Sequence, residues 1–248
     1  MRRLAGLAAL LVVLNAAVGG ALAGEPLLLG GFAPPEAPAD PPPGWQSQTF
    51  PRVPRHTRYT VVRDGAAWVL RAESEGAASG LYRPLDLDPR EYRLLSWRWK
   101  VDGVLMRSDP RRKSSDDFAA RVYVAYRYDP AAASVWQRAL YAAYRLVYGQ
   151  YPPGFALVYV WESRLPVGTT LESVYTDRAR IIVARSGATE AGAWVSESHD
   201  IYADFRRIVG REPPRIAGIA LMTDTDDTGE RAVAYYDAIT LAPDGADR

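Results

Sequence analysis

The strongest constraint on this chain is the alternation of apolar and polar residues in short runs closed by turn residues. Leu95, Trp97, Trp99 and Val101 alternate with Ser96, Arg98 and Lys100. Phe118, Ala120, Val122 and Val124 repeat the pattern, with Arg121, Tyr123 and Arg127 on the opposite side. A period of two gives one buried and one polar face, which is strand geometry. Tyr59–Arg63 and Ala67–Ala72 flank Asp64-Gly65, a pair that closes hairpins because it tolerates positive φ. Further strands are expected at 155–162, 179–186, 193–199, 215–223 and 232–241. In the run 155–162, Leu157, Tyr159 and Trp161 share one parity and Val158 and Val160 the other. Both faces are apolar, so this strand is expected in the middle of a sheet. Many short strands between Gly, Pro and Asp turns predict an all-β sandwich.

Two helical excursions interrupt the strands. Between Ala131 and Tyr148, Val135, Ala139, Leu140, Ala143, Tyr144 and Val147 recur at helical spacing. In the second, Asp200 is placed to cap, Ile201, Phe205 and Ile208 share a face, and Gly210 ends the helix.

The N-terminus has the layout of a secretory signal peptide over residues 1–23. Arg2 and Arg3 supply the charge, Leu4–Val18 the apolar core, and Ala21-Leu22-Ala23 the small-x-small cleavage pattern. The expected destination is periplasmic or secreted. Residues 24–44 read as an N-terminal segment and proline-rich linker, 45–243 as one domain, and 244–248 as a tail. Cleavage leaves 225 residues, enough for a core without cross-links. The chain has no cysteine, which excludes disulfides, thiolate metal sites and cysteine nucleophiles. Its near-neutral charge balance gives no sign of a nucleic-acid partner, and no later apolar run is long enough to span a membrane.

Three groups of residues could carry chemistry. Asp116-Asp117 follows a charged loop at the mouth of a strand; adjacent residues in a regular strand face apart, but at a loop edge both could enter one site. The run from Asp224 to Gly229, with Asp226, Asp227 and Thr228, resembles the first half of an oxygen-ligand calcium loop. Tyr235 stands where an EF-hand has its bidentate glutamate, so an EF-hand is excluded. A non-helical Ca²⁺ loop using Asp224, Asp226 and Thr228 stays open beside an acidic hairpin turn satisfying its own backbone. Third, Trp97, Trp99, Trp136, Tyr159, Trp161, Tyr235 and Tyr236 are numerous. Exposed rings beside carboxylates and arginines suit a sugar, although alternation assigns Trp97 and Trp99 to the core. The binding candidates are therefore Asp116, Asp117, Arg121, Tyr159, Trp161, Glu162, Asp224, Asp226 and Asp227. Only His56 and His199 are available for a hydrolase triad, and there is no Gly-x-Ser-x-Gly elbow, His-Glu-x-x-His or phosphate-cradling loop.

Trp97–Val101, Asp116–Val124, Tyr159-Val160-Trp161 and Met222–Gly229 occur in the order of a bacterial exported family. The chain resembles that family, domain of unknown function 3047, from about Trp45 to Leu241. Val158 stands where the family pattern has a polar Asn, and 131–148 resembles an expanded segment. The first half also resembles carbohydrate-binding jelly-roll modules, through Tyr59-x-Val-Val-x-Asp-Gly, Ala78–Leu81 and Leu95-x-Trp-x-Trp. Together the resemblances imply a jelly-roll-like antiparallel β-sandwich, to which the helical spacing and caps above add two short helical excursions. A module binding carbohydrate or a similar polar small molecule is the leading expectation. A carboxylate-dependent glycoside hydrolase or lyase is the rival, and an envelope structural protein the third.

Overall fold

The computed structural model describes residues 25–33, 40–132, 138 and 153–243. The signal-peptide segment, most of the helix expected over 131–148, Trp136 and the tail at 244–248 lie outside the described residues.

The described strands are β1 (Leu27–Gly30), β2 (Gln46–Gln48), β3 (Arg58–Asp64), β4 (Ala67–Glu75), β5 (Ala78–Leu87), β6 (Leu94–Val101), β7 (Ala120–Tyr126), β8 (Phe155–Glu162), β9 (Thr170–Glu172), β10 (Ala179–Ser186), β11 (Val195–Asp200), β12 (Ile216–Asp224) and β13 (Arg231–Ala242). One sheet has the order β11-β6-β13-β4-β3, with β1 pairing the last part of β13. The other has the order β2-β5-β12-β7-β8-β10-β9. The two sheets face each other as the sandwich expected from the alternation. All pairs are antiparallel except β8 with β10, which run parallel. The chain leaves β8, reaches the sheet edge as β9, and returns as β10 between the two, so β10 meets β9 antiparallel and β8 parallel.

Local chemistry explains the connections. Gly65 adopts φ +60° in the β3–β4 hairpin, a backbone that only glycine takes at little cost. The helix α1 (Ile201–Val209) begins where the Asp200 carboxylate accepts the Ala203 N–H at 2.8 Å. It ends at Gly210, left-handed at φ 78°. Ile201 and Phe205 form its buried face, and Phe205 meets Tyr126 edge-on at 4.6 Å.

The main core lies between the sheets. Trp97 and Trp99 of β6 stand opposite Tyr159 and Trp161 of β8, with ring centroids 5.5 and 5.7 Å apart. Each large side chain buried there contributes about 1.5–3 kcal/mol. A second cluster, Phe118, Val158, Val160, Ala179, Ile181 and Val183, covers the outer face of the seven-stranded sheet. β8 is therefore buried on both faces between β7 and β10, as its sequence predicts.

Candidate functional site

The site is built on that outer face. β7 and β12 pair so that Arg121 lies opposite Met222, and Arg121 also lies opposite Val160 of β8. Val160 points outward, and by the two-residue period Asp224 shares this face. Alternation assigned the Arg121 side of β7 to solvent. The structure corrects this: Arg121 is only 6% exposed, because the β6–β7 connection folds back over it. Phe118 from that connection packs on the outer cluster, and its ring lies 4.4 Å from the Arg121 guanidinium carbon.

Arg121 is the hub of a buried network. Its Nε donates to Asp224 Oδ1 at 2.8 Å, and its Nη2 donates to Asp224 Oδ2 and to the Asp116 carbonyl. Its Nη1 lies 3.7 Å from Asp116 Oδ2. The Phe118 N–H also donates to Asp224 Oδ1, at 3.3 Å. Asp117 faces the β12–β13 loop, accepting the Thr228 N–H at 2.6 Å and the Asp227 N–H at 3.4 Å. Gly229, at φ 65°, closes that loop by donating its N–H to the Thr225 carbonyl at 2.7 Å. Asp116 and Asp117 precede β7, so strand geometry does not force them apart, and both reach the site. Asp116 leaves a 3-10 turn over Lys113–Ser115 at φ −81°, ψ 57°.

One carboxylate oxygen from each of Asp117, Asp224 and Asp226 lies within 4.8 Å of the others. Asp117 and Asp224 are buried and Asp226 is exposed. Burial pushes the Asp224 carboxyl up to about 8 against the pull of Arg121. Burial likewise pushes Asp116 up to about 6, with Asp227 and Asp117 adding repulsion. Asp226 is also raised, by burial and then by Asp117 and Asp227. Desolvation works against the Arg121 charge, but Asp224, Tyr123 and Asp116 hold the guanidinium well above its ordinary value.

The family model described as protein of unknown function (DUF3047) matches residues 43–240. The chain belongs to that family. No curated protein matches this DUF3047 chain in sequence. Among solved structures it is similar to the family 11 carbohydrate-binding module of the cellulosomal cellulase Lic26A-Cel5E of Clostridium thermocellum. That match has 13% identity and a TM-score of 0.46, covering 90% of this chain and 96% of the module. It is also similar to the family 30 carbohydrate-binding module of the cellulase Cel9D-Cel44B of Clostridium thermocellum, at 9% identity, TM-score 0.43, and coverage of 88% and 99%. A third is the xyloglucanase domain of NopAA, a type three effector from Sinorhizobium fredii, at 10% identity, TM-score 0.37, and coverage of 80% and 97%. These likenesses concern the path of the chain and say nothing of what this DUF3047 domain binds.

Of the residues singled out in the sequence, Asp116, Asp117, Arg121, Asp224, Asp226 and Asp227 converge. Tyr159 and Trp161 do not join them. Both are fully buried between the sheets, where Tyr159 donates to Asp204 Oδ2 at 2.8 Å and Trp161 Nε1 donates to the Gly187 carbonyl at 3.0 Å. Glu162 is buried too, and its carboxylate caps the following turn by accepting the Arg164 and Leu165 N–H groups. The Thr228 hydroxyl accepts the Glu230 N–H at 3.3 Å, while Asp117 is the third member of the close carboxylate group. Sequence reasoning missed Tyr175, in the β9–β10 loop. Its hydroxyl lies 2.5 Å from Asp227 Oδ2 and 2.7 Å from the Lys113 carbonyl, and its ring is exposed. No local pattern marks Tyr175, because its partners lie 52 and 62 residues away.

Proposed function

We propose that this DUF3047 domain is an exported binding module for a hydroxyl-rich ligand, carbohydrate in class, and that the ligand sits at the mouth of the acidic site. The observation that carries this is Tyr175. Its residue is 55% exposed, yet its hydroxyl is anchored to the Asp227 carboxylate and the Lys113 carbonyl. An exposed aromatic ring tethered to the Asp227 carboxylate, with the Lys113 ammonium 5.8 Å from its centroid and the exposed Asp226 one residue before its anchor, offers a stacking face and hydrogen-bonding groups together. Those are the two surfaces a sugar presents, through its C–H face and its hydroxyls. The core aromatics Trp97, Trp99, Tyr159 and Trp161 are inaccessible, so Tyr175 supplies the stacking surface in this reading. Signal-peptide chemistry at residues 1–23 supports a periplasmic or secreted setting, where polysaccharides are available.

Affinity electrophoresis in gels containing neutral or acidic soluble polysaccharides tests the reading. Retardation of the protein by at least one polymer, abolished in Tyr175→Ala without a change in melting temperature, is expected. No retardation on any polymer, or unchanged retardation of Tyr175→Ala, overturns it.

A further inference from the structure

The acidic site holds more negative charge than its own cation can balance. Asp116, Asp117, Asp224, Asp226 and Asp227 gather there, and Arg121 is the guanidinium that binds into them. Arg121 engages Asp224 on both oxygens, donates to the Asp116 main-chain carbonyl, and comes no nearer than 3.7 Å to the Asp116 carboxylate in its ion pair. Asp117 is bound by main-chain N–H groups, which are dipoles and cancel no net charge.

A second observation points to a missing partner. Asp116 is only 3% exposed, and its Oδ1 has no hydrogen-bond partner. The carboxylate faces the cluster: its other oxygen lies beside the guanidinium that grips Asp224, and Asp227 and Asp117 are its repelling neighbours. A buried carboxylate oxygen without a donor is costly, and it is rare unless a water or an ion completes it.

We propose that this cluster is a divalent-cation site of calcium's chemistry, with Asp117, Asp224 and Asp226 as its carboxylate ligands and the buried, incompletely satisfied Asp116 carboxylate adjoining them. Ca²⁺ lies about 2.3–2.6 Å from its oxygens, so two oxygens sharing one ion lie at most about 5 Å apart. The 4.8 Å limit on the three oxygens satisfies that geometry. Each carboxylate has about four lone-pair sites, so the existing hydrogen bonds leave room for a metal bond. Asp117 comes from the β6–β7 connection and Asp224 and Asp226 from the end of β12 and its loop. A bound ion would therefore tie together two segments more than a hundred residues apart in sequence. The exposed Asp226 leaves one side open to water or to a ligand hydroxyl.

The test uses Ca²⁺ alone, so its outcome does not depend on whether a saccharide binds. The purified protein is stripped with chelator and titrated with CaCl₂ by calorimetry and by thermal melting. One ion per chain is expected, with a melting temperature raised by about 5–10 °C at Ca²⁺ one hundredfold above its Kd. Asp226→Asn, on an exposed residue that the fold does not need, should weaken binding at least tenfold. Glu172→Gln, an exposed acid on β9 outside the cluster, should leave it unchanged. Absence of saturable heat and of any thermal shift at millimolar Ca²⁺ overturns the proposal. So does Asp226→Asn binding as tightly as the parent protein.

Discussion

Arg121→Met tests whether the outer-face network is held as a buried ion pair. The substitution keeps an unbranched apolar stem against the Phe118 ring and removes the guanidinium. It deletes both contacts to Asp224 and the donor to the Asp116 carbonyl. Asp224, 2% exposed, would then keep the Phe118 N–H as its remaining donor in that network, at 3.3 Å. Breaking a buried pair by removing one member costs about 3–5 kcal/mol, because the other charge stays buried without compensation. Domains of this size are stable by about 5–15 kcal/mol, so the loss is a large fraction of the total. With a urea slope of about 2 kcal/mol per molar, the unfolding midpoint should fall by about 1.5–2.5 M. The assay is equilibrium urea unfolding followed by tryptophan fluorescence, in chelator and above pH 8, where the Asp224 carboxyl, lifted to about 8 by burial, is ionised beside Arg121. The companion variant Arg121→Met/Asp224→Leu removes both charges and should recover most of the loss, since an apolar replacement of a buried pair is close to neutral. A midpoint shift below about 0.5 M, or a double variant no more stable than the single, would refute the reasoning.

Two further expectations follow from the same structure. Folded Asp116 and Asp224 titrate near 6 and 8, above the 3.8 of the free side chain, so between pH 4 and 8 the folded state holds more protons than the unfolded state. Their stabilising contribution is fully present below about pH 4 and is lost as pH rises through 6 and then 8. Glu73 is shifted the other way, well below its ordinary value by Arg71, Arg58 and Arg231, so its contribution is lost only at lower pH and does not mask the trend. In chelator the melting temperature should fall from pH 5 to pH 8; a flat or rising profile contradicts the burial of these carboxyls. At the other end of the fold, Asp200→Ala removes the α1 cap and the ion pair to Arg93, at a cost of about 1 kcal/mol. Thermal melting should register a loss of about 2–4 °C, and no loss would mean that the cap is not formed.

What was legible in the sequence, and what was not, divides along the range of the interactions. β6 and β7 could be read because alternation is a property of each strand alone, and β8 because an apolar run on both parities marks a strand covered on both faces. The strands expected at 155–162 and 179–186 match β8 and β10 end to end. The Asp64-Gly65 turn and the Asp200 and Gly210 caps could be read because a turn or a cap is decided within a few residues. The parallel pairing of β8 with β10 could not, since nothing in either strand records which neighbour inserts beside it. The short strands β1, β2 and β9 carry too few residues for a period to show.

The site fell between these cases. Its acidic residues were visible as two clusters, but their meeting depends on β7 pairing with β12, and that register is a long-range fact. Arg121 illustrates the limit best. Its parity in β7 correctly puts it on the face opposite Val122, yet parity cannot say whether that face meets water. The β6–β7 connection, carrying Phe118, Asp116 and Asp117, folds over it and turns an apparent solvent-facing arginine into a buried one. Burial then explains the rest of the site. The same covering that makes Asp224 need Arg121 also lifts the Asp116 and Asp224 carboxyls, strands Asp116 Oδ1, and leaves Asp226 and Tyr175 as the exposed rim. A single loop placement thus separates a buried charged layer from an accessible mouth, and substitutions in the two should part accordingly, Arg121 through stability and Tyr175 through ligand retention.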